Sequence, residues 1–158
     1  MSTSREPHAM LTLQSNSVAE TEALGQSLAR VAQAGCVYGL SGDLGAGKTA
    51  LVRGFARGLG CTGRVHSPTF ALLNEYEGGR LRLFHLDLYR LNTPEEVRAA
   101  GLEEYVTQPD GVAVVEWIER WCGDATGSEI GGPGTLRRIH LSTLSENARQ
   151  IAYDGPGA

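Results

Sequence analysis

The chain has 158 residues, 41% of them apolar and 20% charged, and a formal charge of −4. That length suits one compact domain, and the apolar content is too high for a disordered chain. The acidic balance argues against a nucleic-acid binder that relies on a broad basic surface, and no apolar run reaches membrane-spanning length.

In chain order, Leu11 and Leu13 suggest a short first strand. Ser17-Val18-Ala19-Glu20 has the Ser-x-x-Glu form of a capping box. It predicts a helix through about Ala34, with Leu24, Leu28 and Val31 on one face and Gly35 placed to stop it. Cys36 to Ser41 is a short apolar run, read as a buried strand. A Gly-rich loop follows, then a helix to about Leu59 with Leu51, Phe55 and Leu59 spaced by four, ended by Gly58 and Gly60. Ser67-Pro68-Thr69 reads as a turn. Phe70 to Tyr76 and Leu81 to Leu88 read as paired strands around a Glu77-Gly78-Gly79 turn.

Thr93-Pro94-Glu95-Glu96 combines a cap, a first-turn proline and a glutamate three residues on, predicting a helix to about Ala100. Leu102 to Val106 is a candidate further turn of helix. Gly111 to Glu116 is a continuous apolar run ending in a carboxylate, typical of a central parallel strand. Residues 123–134 read as a Gly-rich loop. Leu136 to Leu144 and Ala148 to Tyr153 read as two late strands. The expected fold is therefore α/β: a mainly parallel central sheet with antiparallel additions and helices on both faces. The expected organisation is a single domain over residues 1–158, with 1–9 disordered. The polar N-terminus carries no signal-peptide core, so the expectation is a cytoplasmic protein. Cys36, Cys61 and Cys122 are odd in number and widely spaced, which indicates neither a disulfide framework nor a zinc site.

The strongest chemical signal is Gly42-Asp43-Leu44-Gly45-Ala46-Gly47-Lys48-Thr49, a full G-x-x-x-x-G-K-[ST] match. Glycines let successive backbone N–H groups point at phosphates, and the following helix adds the positive end of its dipole. Lys48 is placed to reach the outer phosphates of a nucleotide and the Thr49 hydroxyl to ligate Mg²⁺, with Ala50 next in the helix. Of 14 basic residues 13 are arginine, and the only lysine is Lys48. A compact ammonium fits among phosphate oxygens where a planar guanidinium does not.

A P-loop enzyme also needs a carboxylate near Mg²⁺ at the end of a neighbouring strand. Glu116, after four apolar residues, is favoured for the metal region, directly or through water. Asp87, at the end of an alternating strand, is a candidate to position or activate the attacking water, or to help hold the metal. Thr69 is a candidate sensor of the γ-phosphate, although a simple turn residue accounts for it equally well. His85 shares the strand face of Asp87; a satisfied structural histidine is its plainer reading. Trp117 either stacks near the site or packs. No Asn-Lys-x-Asp element for guanine is present, so ATP is favoured over GTP.

Taken in order, Gly42–Thr49, Ser67-Pro-Thr-Phe70, Asn74-Glu-Tyr76, His85-Leu-Asp-Leu-Tyr-Arg90 and Glu116-Trp117 resemble the bacterial TsaE family, also called YjeE. The resemblance covers about Leu11 to Trp121. It implies a small Mg²⁺-dependent ATPase required for threonylcarbamoyladenosine in tRNA, which binds the TsaD–TsaB pair and meets tRNA only through that complex. By motif it implies Lys48 and Thr49 as phosphate and metal residues and Thr69 as a switch-like threonine. It further implies Asp87 and Glu116 as the acidic pair and Trp117 as a neighbouring site residue. Ala50 and Ile118 depart from the usual pattern without removing a group the chemistry needs. Two other readings compete: a small-molecule kinase, for which no arginine-rich lid is recognisable, and a non-catalytic nucleotide-sensing module.

Overall fold

Seven strands form one sheet in the order β1-β7-β6-β2-β5-β4-β3. In chain order the elements are β1 (Met10–Ser15), α1 (Val18–Val31), β2 (Val37–Gly42), α2 (Lys48–Leu59), β3 (Leu73–Tyr76), β4 (Leu83–Asp87), α3 (Pro94–Ala99), α4 (Glu103–Thr107), β5 (Val112–Glu116), α5 (Glu119–Cys122), β6 (Leu136–Thr143) and β7 (Arg149–Asp154). The computed structural model describes residues 10–42, 45, 47–65, 68, 72–122 and 136–154. The expected disorder at 1–9, the expected loop at 123–134, and Asp43, Leu44, Ala46, Ser67, Thr69 and Phe70 lie outside the described residues.

The contiguous strands β6, β2, β5 and β4 are mutually parallel. Antiparallel strands flank them, β7 then β1 on one side and β3 on the other. The sheet is thus mixed around a parallel core. Its centre is buried on both faces, which is why β5 reads as an unbroken apolar run rather than an alternation. Val112 and Val114 pack beneath α1 and α2, whereas Ala113 and Val115 pack with α3, α4 and α5 on the opposite face. The register sets Asp87 beside Glu116 at the carboxyl ends of β4 and β5. Ligands of open α/β sheets gather at that end.

Both predicted caps form. Ser17 Oγ accepts from the Glu20 N–H at 3.1 Å, and Thr93 Oγ1 accepts from the Glu96 N–H at 3.2 Å. In each case the glutamate reaches one residue beyond the cap, accepting from the Asn16 or Asn92 N–H at 2.6 Å. Each such cap is worth about 1 kcal/mol.

Three expectations on element limits are corrected. Helix α1 ends at Val31, where Ala32 turns extended at ψ 141°, before Gly35 is reached. Arg80 ends it from outside: its Nη2 donates to the carbonyls of Ala29 at 2.7 Å and Ala32 at 2.8 Å. The buried stripe of α1 is Thr21, Leu24, Gly25, Leu28 and Ala29, so Val31 falls off its shoulder and is 58% exposed. Strand β3 starts at Leu73, because Leu72 adopts a left-handed φ of 64° that breaks an extended run.

Helices α1 and α2 cross with their backbones in contact. A Cβ on Gly54 would lie 1.9 Å from the Glu22 carbonyl oxygen, and one on Gly25 would lie 2.3 Å from that of Leu51. This close crossing fixes α2, and with it Gly47 at its start, against the sheet.

Candidate nucleotide-binding site

Strand β2 runs buried to Leu40 and ends in Gly42, whose φ is 135° and whose absent Cβ would sit 2.1 Å from the Leu141 carbonyl oxygen. Only glycine fits there, so the chain can leave the sheet and turn back into α2. Gly47 caps α2 at a left-handed φ of 96°. It has no side chain to stand between the helix's positive end and an approaching anion. Lys48 is largely buried, its Nζ donating to the Gly42 carbonyl at 2.7 Å and lying 4.1 Å from the centroid of the Trp117 ring.

Gly45, Gly47, Lys48, Thr49, Asp87, Tyr89, Glu116 and Trp117 line one cleft of about 320 Å³. The structure thus brings together the lysine and threonine of the loop, both candidate carboxylates and the tryptophan. Ala50 is buried in the first turn of α2 and does not line the cleft. Asp43, Leu44, Ala46 and Thr69 lie outside the described residues. A larger cleft of about 800 Å³ lies on the other side of Thr49, bounded by Arg53, Arg57 and Arg64. It lacks both carboxylates, so the smaller cleft is the one with the chemistry.

The two acids differ in their surroundings. Asp87 is half-buried and its Oδ1 accepts from the Tyr89 N–H at 3.0 Å. Burial pushes its carboxyl above the usual range, the Tyr89 N–H pulls it back, and Glu116 adds a further upward push. Glu116 is almost wholly buried and its Oε2 lies 2.6 Å from Nε2 of His85, itself fully enclosed. His85 is thus the direct partner of one of the two candidate carboxylates.

Trp117 takes a left-handed φ of 60°, a strained conformation for an aromatic residue, costing on the order of 1–3 kcal/mol. The strain sits immediately after Glu116 and swings the indole across Lys48. Tyr89 packs on the same indole with ring centroids 5.1 Å apart.

Two further residues at the loop escaped sequence reasoning. Tyr89 had a signal, since it lies within the His85–Arg90 motif. Arg149 had none. It opens β7, and its Nη2 donates to the Gly45 carbonyl at 3.2 Å while Nη1 donates to the carbonyls of Ser145, Glu146 and Ala148. It ties the β6–β7 turn to the Gly-rich loop across 104 residues of sequence.

The donor set suits a hard divalent cation. One hydroxyl and two carboxylates offer oxygen ligands, as Mg²⁺ prefers. Among the described residues no three His, Cys, Asp or Glu side chains form a self-sufficient metal cage. That fits an ion that takes most of its remaining ligands from phosphate and water.

A parallel α/β core with a glycine-rich turn feeding the N-terminus of α2 defines a P-loop fold. The likeness extends to a solved structure, the crystal structure of Bacillus subtilis YdiB. It is 31% identical, covers 94% of this chain and 87% of that one, and superposes with a TM-score of 0.70. Residues 15–151 match the family described as "Threonylcarbamoyl adenosine biosynthesis protein TsaE". The chain belongs to the TsaE family.

Among curated relatives, the tRNA threonylcarbamoyladenosine biosynthesis protein TsaE of Bacillus subtilis is 48% identical over 138 residues, 87% of this chain and 81% of that protein. Its counterpart from Synechocystis sp. is 52% identical over 103 residues, 63% of this chain and 65% of that protein. The match thus spans a little less than two thirds of the cyanobacterial relative's length. No helix among the described residues is long and apolar enough to cross a membrane.

Proposed function

We propose that this protein is a cytoplasmic Mg²⁺-dependent ATPase acting with the TsaD–TsaB complex in threonylcarbamoyladenosine modification of tRNA. The observation that carries the reading is the convergence of Lys48, Thr49, Asp87 and Glu116 on one cleft at the carboxyl end of the parallel strands.

Each residue has a distinct task in this reading. Lys48 exchanges the Gly42 carbonyl and the Trp117 face for the outer phosphates. The N-terminus of α2 adds its dipole from behind. Thr49 and Glu116, the latter directly or through water, would hold Mg²⁺, which would neutralise charge on the phosphate oxygens. Asp87 aligns the attacking water or joins the metal ligands. Its raised affinity for a proton suits the first task, because a more basic carboxylate accepts a proton more readily. Thr69 serves as a γ-phosphate sensor. ATP rather than GTP is the substrate, given the lack of a guanine-reading element.

The partner assignment is supported by family membership and by the character of the chain. A net charge of −4 argues against a broad basic surface for tRNA on this chain. Its partners would hold the nucleic acid.

The test is Mg²⁺-dependent ATP hydrolysis by the purified protein, alone and with its cognate TsaD–TsaB pair, together with the modified nucleoside content of tRNA after depletion. Slow turnover that rises with the pair, and loss of the modification, are expected. Turnover indifferent to the pair, or unchanged tRNA, would overturn the partner role.

A further inference from the structure

His85 and Glu116 sit on adjacent parallel strands, and the register pairs His85 with Val114 and Glu116 with Asp87. Glu116 therefore reaches diagonally, back from the strand end toward the interior, to meet the imidazole at 2.6 Å. His85 has no exposed surface, and its Nδ1 has no hydrogen-bond partner among the described residues. A carboxylate can only accept, so in this contact Nε2 is the donor and Nδ1 faces the protein interior. Leaving that nitrogen unsatisfied is a cost to the folded state. A buried imidazole with one nitrogen spent on a site carboxylate and the other unpaired is a poor way to fill a core position that Leu or Met would fill more cheaply.

We propose that His85 is a positioning residue for the metal site: it fixes one oxygen of Glu116 so that the other faces the cleft beside Thr49. The inference rests on the reading of Glu116 as a metal-region carboxylate. A carboxylate free to rotate would lose orientation entropy on each binding event and would not hold one oxygen toward the ion. Partners of this kind typically contribute 10- to 100-fold in metal affinity.

The experiment compares wild type with His85→Gln, His85→Leu and His85→Asn. A Gln amide N–H can replace Nε2–H, Leu fills the volume without a donor, and Asn is too short to reach Glu116. Calorimetry with the β,γ-imido analogue of ATP, in the presence and absence of Mg²⁺, gives the Mg²⁺ increment in nucleotide affinity for each folded protein. Thermal melts report stability separately. We expect His85→Leu and His85→Asn to lose about tenfold of that increment, while Mg²⁺-free affinity stays within twofold of wild type. His85→Gln should recover most of it. The Mg²⁺ concentration for half-maximal hydrolysis should rise in parallel, with KM for ATP at saturating Mg²⁺ little changed.

A purely structural His85 would lower the melting temperature and leave the increment intact in every variant that folds, which overturns the proposal. Equal losses in His85→Gln and His85→Leu would overturn it too. A wild-type protein with no Mg²⁺ increment at all would instead overturn the metal-site reading on which the proposal rests.

Discussion

Lys48 and Trp117 face each other across the mouth of the cleft, the ammonium 4.1 Å from the indole centroid. The contact joins the single lysine of the chain to a residue whose strained backbone aims it there. A phosphate group competes for the same ammonium. ATP binding should therefore draw Lys48 off the ring and change Trp117 emission, while the signal of Trp121, which lies against Arg98 rather than Lys48, stays constant. Trp121→Phe should preserve the response and Trp117→Phe abolish it. Lys48→Ala should lose both the response and turnover, weakening nucleotide binding by at least about tenfold.

Asp87 provides a test with a sign. Its carboxyl is raised first by burial, so the protonated form is favoured in the folded protein. The associated stability is present below the ordinary carboxylate range and is lost as the pH rises from that range through the raised value of the folded state; at neutral pH the ionised group is a net cost. Asp87→Asn removes the charge and keeps an acceptor for the Tyr89 N–H. Without nucleotide it should melt higher than wild type near pH 7, with the difference closing as the pH falls toward about 4. Hydrolysis should fall by about 10²-fold or more, with nucleotide binding retained. Complete loss of nucleotide binding would assign Asp87 chiefly to the metal.

Tyr38 makes a second pH prediction, at the alkaline end. Its ring packs edge-on against Phe55 with centroids 4.9 Å apart. Burial, aided by Cys36, pushes its phenol up to about 12. Stability tied to the neutral phenol is intact below about pH 10 and is lost as the pH rises through about 12. Tyr38→Phe keeps the ring contact. Urea unfolding should show its stability relative to wild type flat up to about pH 10, then rising by about 2–3 kcal/mol toward pH 12. A flat difference throughout would place the alkaline loss elsewhere.

Gly54 tests the crossing of α1 and α2. An added Cβ would meet the Glu22 carbonyl oxygen at 1.9 Å, a backbone atom that cannot swing aside. Gly54→Ala gains about 1 kcal/mol in helix propensity but forces the two helices apart, costing about 1–3 kcal/mol or more in lost packing. The net expectation is destabilisation in urea titration, with weaker nucleotide binding because α2 carries Lys48 and Thr49. A stabilised variant would show that the crossing adjusts freely.

Much of the molecule was legible in the sequence, for local reasons. The P-loop is contiguous, since its glycines, lysine and threonine must act within one turn and one helix start. The Ser17 and Thr93 caps bond within their own helices. The apolar run of β5 reports burial on both faces. Glu116 and Asp87 were found because strand ends can be read from hydrophobic pattern. The limits of α1 were misplaced, however, because Arg80 terminates the helix from 48 residues away. Val31 falls at the edge of the buried stripe because contact through Gly25 rotates that stripe toward α2.

The sequence by itself determined the glycine-rich Gly42–Thr49 motif, the elements around it and the family to which the chain belongs, because these depend on spacing and local chemistry. Tertiary structure alone decided that Asp87 and Glu116 stand side by side, that His85 partners Glu116, that Trp117 covers Lys48, and that Arg149 braces the loop from the far end of the chain. Those relations follow from strand order and register, which bring together residues that no sequence spacing connects.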